Sequence, residues 1–489
     1  MGREYAFYRK KYFLTVTIVI FILFYSIGVF GYFCTNVGYA VKRSRDKLYT
    51  SPIKLGNRIL IVAPHPDDEN LGMGGLIYTE LRKGKKIKVV LVTNGDGFER
   101  AVKENLRPKT IKPEDYIKLG LIRQQETANA MRHLGLSVND IIFLGYADGS
   151  INSLWDQNWD YSNPHLSRNG YTKTPYNNSY DKNAVYCGKN LVKDLWQIID
   201  NYKPTDIFYP DPDDMHHDHW AVGAFVKYTV ELHDYKAHMY SYLVHHYQWP
   251  EPWALLPAAG LYPPLSLENV GTKWHIYRID AEAERAKQKV MRDYKSQFKI
   301  MGVFLDAFVR RNELFGTYED AYYKYTDEVP DFKSRKELPY KVVYASIMDN
   351  PLLRLEGSDD LKALGMVRSR KDYFFAIETR GNAAKNTDYI FNALFLYKNK
   401  DTTRMKVLIR NFKATAVMKK NKRAFFKHPI AINVYKNRIW FSIPSERIGD
   451  PEKIFLNAVT STNGRYVDKT AWRMVKPDPK TARQGQNAG

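Results

Sequence analysis

The stretch that decides the fold is RILIVAPHPDDENLGMGG, Arg58 to Gly75. Residues 58–63 are a continuous apolar run and read as a buried strand. They lead straight into His65, Pro66, Asp67, Asp68 and Glu69, then into a glycine-rich segment. A polar loop after a strand is ordinary, and acids complement the positive start of a helix. The combination asks for more. Three adjacent carboxylates repel one another unless a cation or a proton sits among them. His65 and Asp68 are good zinc ligands three positions apart, on a loop stiffened by Pro66. Open α/β sheets place ligands at the carboxyl ends of their strands. Half a metal site is therefore expected here, with an acid beside it. The glycines are expected to let the next helix start close to the site.

The second half needs at least one more histidine. Strand and helix signals alternate from Arg58 onward: strands at 58–63, 86–93, 140–145 and 205–210, helices at 71–83, 114–134 and 184–201. Further strands are expected at 238–246 and 274–279, and a charged helix at 281–300. This alternation predicts parallel βαβ units and a Rossmann-like, doubly wound, mostly parallel sheet. Residues 146–184 form a loop long enough to be functional. The fourth strand runs into Asp211-Pro212-Asp213-Asp214-Met215-His216-His217-Asp218-His219. His216 and His219 are three apart and share a face at a helix start. Joined to His65 and Asp68, this loop offers ligands and an open position for water, as in a hydrolytic zinc site. Asp67 is then the neighbouring proton acceptor. A histidine that is not a ligand can assist the oxyanion or leaving group, with Asp218 holding its tautomer.

Bulk composition bounds the rest. The chain has 489 residues, enough for two or more domains, and a net charge of +21. That surplus suits anionic lipid headgroups or phosphate-bearing glycans. The basic residues are scattered and no nucleic-acid-binding signature occurs, so no nucleic-acid partner is expected. Two cysteines, Cys34 and Cys187, exclude a disulfide framework and a cysteine-rich zinc site.

A basic N-terminus precedes an uncharged run, Phe13 to Val41, strongly apolar over its first two-thirds. It is long enough to span a bilayer. Gly38-Tyr39-Ala40 has the spacing of a signal-cleavage site, but the run is longer than a usual signal core. An uncleaved anchor (1–41), a linker (42–57) and an extracellular body are expected, although basic residues flank the run on both sides.

After about Pro339 short strand-like runs follow one another, which predicts an all-β sandwich over 340–476, then a polar tail at 477–489. Trp440 and Trp472 are candidates for sugar stacking or for its core. Asp468-Lys469-Thr470-Ala471-Trp472-Arg473 after a strand resembles carbohydrate-binding β-sandwich modules, with an ordinary structural sandwich as the alternative. A binding module would be dispensable for hydrolysis of small substrates but needed for full action on polymer.

Ala63-Pro64-His65-Pro66-Asp67-Asp68-Glu69 resembles the HPDDE signature of the PIG-L/LmbE-like N-acetylglucosaminyl deacetylases, with Pro64 where many members have Ala. His216-His217-Asp218-His219 is similar to the family's HxDH motif, with His217 where Pro is usual. The resemblance covers about residues 58–310. It implies a deacetylase domain over 58–339, with metal ligands His65, Asp68 and His219, general base Asp67, electrophilic or acid histidine His216, and Asp218 as its partner. Arg123 and Glu126 resemble the family's Arg/Glu helix, which implies that Arg123 approaches substrate. Asp148 lies in a similar LxxxDG turn and is a second substrate-binding candidate. Tyr242-Leu243-Val244-His245 and the later YKSQF (294–298) are also similar. The implied function is zinc-dependent (Zn2+, or another divalent metal such as Fe2+) removal of acetyl from N-acetylglucosamine units of a cell-surface glycan or glycoconjugate. The alternatives are a GlcNAc-phosphoinositide-type glycolipid deacetylase facing the cytoplasm, and a non-catalytic glycan-binding protein. The presence of every implied ligand and of the base argues against the last.

Overall fold

The computed structural model describes residues 15–26, 28, 53–268, 270–333, 338–345, 357–420 and 423–481. The chain divides into two units, Met1–Pro52 and Ile53–Gly489. In the first, residues 15–26 form helix α1, with exposed side chains. They lie within the apolar run expected to be a membrane anchor. The anchor is not borne out there, because among the described residues no helix is long and apolar enough to cross a membrane. A span needs about 20 helical residues, and most of the remaining run lies outside the described residues.

The second unit opens with an α/β layer. Its strands are β1 (Arg58–Ala63), β2 (Lys86–Thr93), β3 (Ile141–Tyr146), β4 (Asp206–Pro210), β5 (His238–Tyr242), β6 (Thr272–Arg278) and β7 (Asn312–Tyr318). Its helices are α2 (Asp68–Arg82), α3 (Glu99–Leu106), α4 (Pro113–Leu134), α5 (Ile151–Asp156), α6 (Gly188–Tyr202), α7 (His217–Leu232), α8 (Ala281–Met291) and α9 (Lys295–Asp306). The sheet order is β3-β2-β1-β4-β5-β7-β6. The first five strands are parallel, and β7 and β6 join antiparallel at one edge. Ile59 to Ala63 are at most 1% exposed. A parallel strand covered on both faces requires such an unbroken apolar run. The chain order reverses between β1 and β4, so the loops after these two strands open side by side.

The glycines after β1 have a different use from the expected one. Gly72, Gly74 and Gly75 lie inside α2, which is buried along most of its length. A fully buried ion pair, Lys287–Glu313 at 2.7 Å, presses against this helix. Lys287 Nζ donates to Leu71 O at 2.8 Å. The Glu313 carboxylate accepts from Gly75 N and Leu76 N, each at 2.8 Å. A Cβ on Gly75 would lie 2.7 Å from Ile279 Cδ1, and one on Gly72 would lie 2.7 Å from Tyr242 Cδ2. The glycines thus let neighbouring chain reach the backbone of α2. Removing one partner of such a buried pair costs about 3–5 kcal/mol.

The charged helix expected over 281–300 is two helices, α8 and α9, broken at residues 292–294. The break turns Tyr294 inward, fully buried, with its hydroxyl donating to Glu69 Oε1 at 2.6 Å.

The remainder is β-rich. It comprises β8 (Ala321–Tyr325), β9 (Lys341–Tyr344), β10 (Leu361–Arg368), β11 (Asp372–Thr379), β12 (Thr387–Leu396), β13 (Thr402–Arg410), β14 (Lys413–Lys420), β15 (Arg423–Ile430), β16 (Ile432–Tyr435), β17 (Arg438–Pro444), α10 (Ser445–Ile448), β18 (Lys453–Thr462), β19 (Arg465–Lys469) and β20 (Arg473–Pro477). The Phe391 ring of β12 meets Phe375 of β11 at 5.1 Å and Phe441 of β17 at 5.5 Å, so two halves of the ladder face each other over a shared core. Strand β8, which the expected boundary at 339/340 leaves with the α/β part, pairs with β10 and β20.

Trp440 and Trp472 are core residues, at 8% and 7% exposure, and offer no face for sugar stacking. The Trp472 ring lies 5.4 Å from Trp155 of α5 and 5.6 Å from Phe455 of β18. One apolar cluster therefore runs from the α/β layer into the β-rich region. This continuity does not suit a separable module.

Candidate active site

The loops after β1 and β4 meet at the reversal of strand order. His65 Nδ1 lies 3.1 Å from Asp68 Oδ2 and 3.2 Å from His219 Nε2. His219 Nε2 lies 3.1 Å from Asp68 Oδ2. Three donor atoms from two distant parts of the chain thus form a nearly equilateral triangle. Tetrahedral zinc, with bonds of about 2.0–2.1 Å, separates its ligands by roughly 3.3 Å. Two imidazole nitrogens and a carboxylate oxygen at this spacing fit zinc and leave a further position open.

Carboxylates surround the two histidines. His65 Nε2 faces Asp148 Oδ1 at 3.0 Å and Asp218 Oδ2 at 3.1 Å. These three residues would themselves pass as a metal-binding group. The carboxylates are otherwise engaged, however. Asp218 accepts from Gly149 N at 2.7 Å and Ile151 N at 2.8 Å, and Asp148 accepts from Gly97 N at 2.7 Å. They therefore orient His65 so that Nδ1 faces the triangle. His219 Nδ1 lies 3.1 Å from Asp214 Oδ2, at ion-pair distance though not aligned as a hydrogen bond. Burial lowers the pKa of both histidines, but the facing carboxylates outweigh it. They hold His65 well above its ordinary value and His219 at about 9. Burial raises the Asp68 pKa, and the two imidazoles carry it well below the usual range.

Asp67 stands beside the triangle with φ 116°, a region that L-residues avoid at a cost of about 1–3 kcal/mol. Its N–H donates to Glu69 Oε2 at 3.0 Å, and Glu69 is held in turn by Tyr294. The third acid of the opening run is therefore a brace for the first. Arg123 Nη2 donates to Pro66 O at 2.6 Å and lies 3.3 Å from Asp67 Oδ2, while Nη1 donates to Gly95 O at 2.8 Å. Burial raises the Asp67 pKa, Arg123 opposes it, and the neighbouring Asp68 and Glu69 charges bring it to about 8.

His216 caps the start of α7. Its Nδ1 accepts the backbone N–H of Asp218 at 3.2 Å. Burial and the neighbouring His65 and His219 charges push its pKa down to about 4. A neutral ring whose Nδ1 accepts must carry its hydrogen on Nε2. His216 therefore has a defined donor atom. His217 is exposed.

Among the expected site residues, His65, Asp67, Asp68, Asp148, His216, Asp218 and His219 come together. Three have contacts other than those expected. The Asp218 carboxylate hydrogen-bonds His65, Gly149 and Ile151, and only its backbone N–H meets His216. Arg123, 4% exposed, is committed to the Asp67 loop rather than turned toward solvent. Asp148 likewise faces His65. Two further residues join the site. Asp214 accepts from the backbone N–H of His216, Val244 and His245. The His245 ring lies 4.6 Å from His219 and stacks on Phe304. Both occur in the quoted runs, but nothing in their spacing distinguishes them from loop residues.

Residues 60–230 match the family model described as PIG-L, GlcNAc-PI de-N-acetylase. No curated protein matches the chain. Among solved structures, N,N'-diacetylchitobiose deacetylase from Pyrococcus horikoshii is 20% identical with a TM-score of 0.33, covering 54% of this chain and 82% of its own. A deacetylase of the teicoplanin biosynthesis pathway is 17% identical with a TM-score of 0.35, covering 54% and 99%. A conserved protein from Thermus thermophilus is 20% identical with a TM-score of 0.32, covering 51% and 84%. Over residues 60–230 the chain is thus similar to the PIG-L family.

Proposed function

We propose that the protein is a zinc-dependent N-deacetylase that hydrolyses the acetamide of N-acetylglucosamine units in a glycan or glycoconjugate. The observation that carries this reading is the triangle of His65 Nδ1, Asp68 Oδ2 and His219 Nε2 with Asp67 beside it. The family match over 60–230 supports the substrate class. His65, Asp68 and His219 would hold the metal. When bound, it would polarise the amide carbonyl and lower the pKa of water toward about 7.

The residues of this chain then have distinct tasks. Asp67 takes the proton of the attacking water and later returns it to the leaving amine. Arg123 holds Asp67 in place and moderates its basicity. His216 donates from Nε2 to the oxygen that becomes negative as the carbonyl turns tetrahedral. Asp148, Asp218 and Asp214 orient the two ligand histidines.

A cell-surface polymer is the favoured substrate, supported by the net charge of +21. Its surface setting rests on the apolar run of residues 13–41 alone. The description of the family model favours a second reading, a GlcNAc-phosphoinositide. The test is acetate release by the full chain with zinc from N-acetylglucosamine oligomers, wall polymers and GlcNAc-phosphoinositide. Release from one class identifies the substrate. No release from any of them, with zinc bound stoichiometrically, overturns the deacetylase reading.

A further inference from the structure

The segment Lys469-Thr470-Ala471-Trp472-Arg473 has no part in the chemistry above, yet it reaches the loop that carries His216. That loop holds three carboxylates in four positions, Asp211, Asp213 and Asp214, whose side chains are 4% exposed or less. Buried charges this close require partners. Asp211 takes the hydroxyls of Ser241 and Tyr318. Asp214 takes three backbone N–H groups and faces His219. The partner of Asp213 comes from the β-rich region: Arg473 Nη2 donates to Asp213 Oδ2 at 2.7 Å. The guanidinium lies 3.8 Å over the ring of Tyr318, the residue bonded to Asp211. Trp472 anchors the segment against Trp155. Lys469 Nζ sits 4.8 Å from the ring of Trp220, the residue after His219.

We propose that Arg473 is a positioning residue of the metal site, neutralising Asp213 so that the loop holds Asp214 against His219 and presents His216. The β-rich region is then a working part of the catalytic unit rather than an appended substrate-binding module. The inference rests on the reading of His219 as a metal ligand. Its mechanism is electrostatic: without the guanidinium, Asp213 loses its hydrogen-bonded counter-charge two residues from Asp211 and adjacent to Asp214, and keeps only the Coulombic attraction of Lys469. Where Asp213 stays ionised, the loop relieves that repulsion by moving, and Asp214 moves with it.

The test compares zinc affinity of the full chain with that of Arg473→Gln, Arg473→Lys and the double variant Asp213→Asn/Arg473→Gln, with thermal unfolding to establish folding. Arg473→Gln is expected to bind zinc about tenfold more weakly, the scale seen when an outer partner of a metal ligand is lost. Arg473→Lys and the double variant are expected within about threefold of the parent, because each leaves no unpaired charge. A purely structural role would not be rescued by removing the second charge. Parent-like affinity in Arg473→Gln, or a double variant as weak as the single, overturns the proposal. If Arg473→Gln does not fold, the double variant decides: near-parental affinity supports the proposal and a tenfold loss overturns it. A parent chain that binds no zinc would overturn the metal-site reading instead.

Discussion

Arg123 Nη2 lies 3.3 Å from Asp67 Oδ2 while the same nitrogen donates to Pro66 O. One guanidinium therefore fixes both the charge and the backbone of the proposed base. Replacing Arg123 by Leu removes a cation that lowers the Asp67 pKa, which then rises. The basic form of Asp67 is lost at a higher pH, so the acid limb of the kcat/KM profile moves toward alkali. Turnover at pH 7 falls by about 100-fold or more. A pH–rate profile whose acid limb stays in place would contradict this role.

Asp67→Asn keeps the shape of the side chain and removes the proton acceptor. Zinc is expected to bind with affinity within a few-fold of the parent, since Asp67 is not in the triangle. Acetate release is expected to fall by about 10²–10⁴-fold. Equilibrium dialysis and a single-turnover assay on one preparation separate the two effects.

Asp214→Asn weakens the carboxylate facing His219 Nδ1. Zinc affinity is expected to drop by about 10–100-fold. Protons compete with zinc on both ligand histidines, because their carboxylate partners raise the imidazole pKa values. The parent's zinc affinity therefore falls as pH is lowered from 9 to 6. In Asp214→Asn the His219 pKa is lower, and the slope is shallower. Calorimetry in buffers of different ionisation enthalpy counts the protons released.

Burial pushes the Asp468 pKa up to about 7 in the β-rich region. Its unfolded value lies near 3.9, so the folded protein holds this proton more tightly. The contribution favours the fold at low pH and is lost as pH rises through about 7. Asp468→Asn removes that titration. Between pH 4 and 7 the difference in unfolding free energy between parent and variant should change in favour of the variant as pH rises. Denaturant titrations at several pH values measure it.

Trp472→Ala is expected to destabilise the whole second unit by about 3–5 kcal/mol, because the cluster it leaves spans both regions. A chain ending at residue 339 loses Phe455 and Trp472 together. It is expected to be insoluble or to lose turnover on small substrates as well as on polymers.

The core of the site was readable in the sequence because its chemistry is local. His65 to Glu69 follow a strand that had to be buried, and His216 to His219 open a helix, so each half carried its own signal. The parallel order placed the halves side by side. What was not readable was the identity of each residue's partner. Whether the Asp218 carboxylate meets His216 or His65 depends on the path of residues 149–151, which no periodicity encodes. Arg123 resembled a substrate ligand, but its burial follows from how α4 packs behind the β1 loop. The break between α8 and α9 was hidden because both halves have helical composition, and only the Tyr294–Glu69 contact explains it. The β-rich region was legible as strands, not as part of the site, because the Arg473–Asp213 pair spans 260 positions.

The pair Lys287–Glu313 bears on how the molecule comes into being. Helix α2 begins at Asp68, a proposed metal ligand, yet the groups that engage its backbone lie 216 to 238 positions later. While the chain is being synthesised, that helix has no access to these partners until residue 313 has emerged. An unfinished chain, even one containing all three proposed ligands, would hold Asp68 on an unbraced helix. Zinc capture would then mark the emergence of residue 313, and products truncated before it would stay metal-poor and inactive rather than compete for the ion.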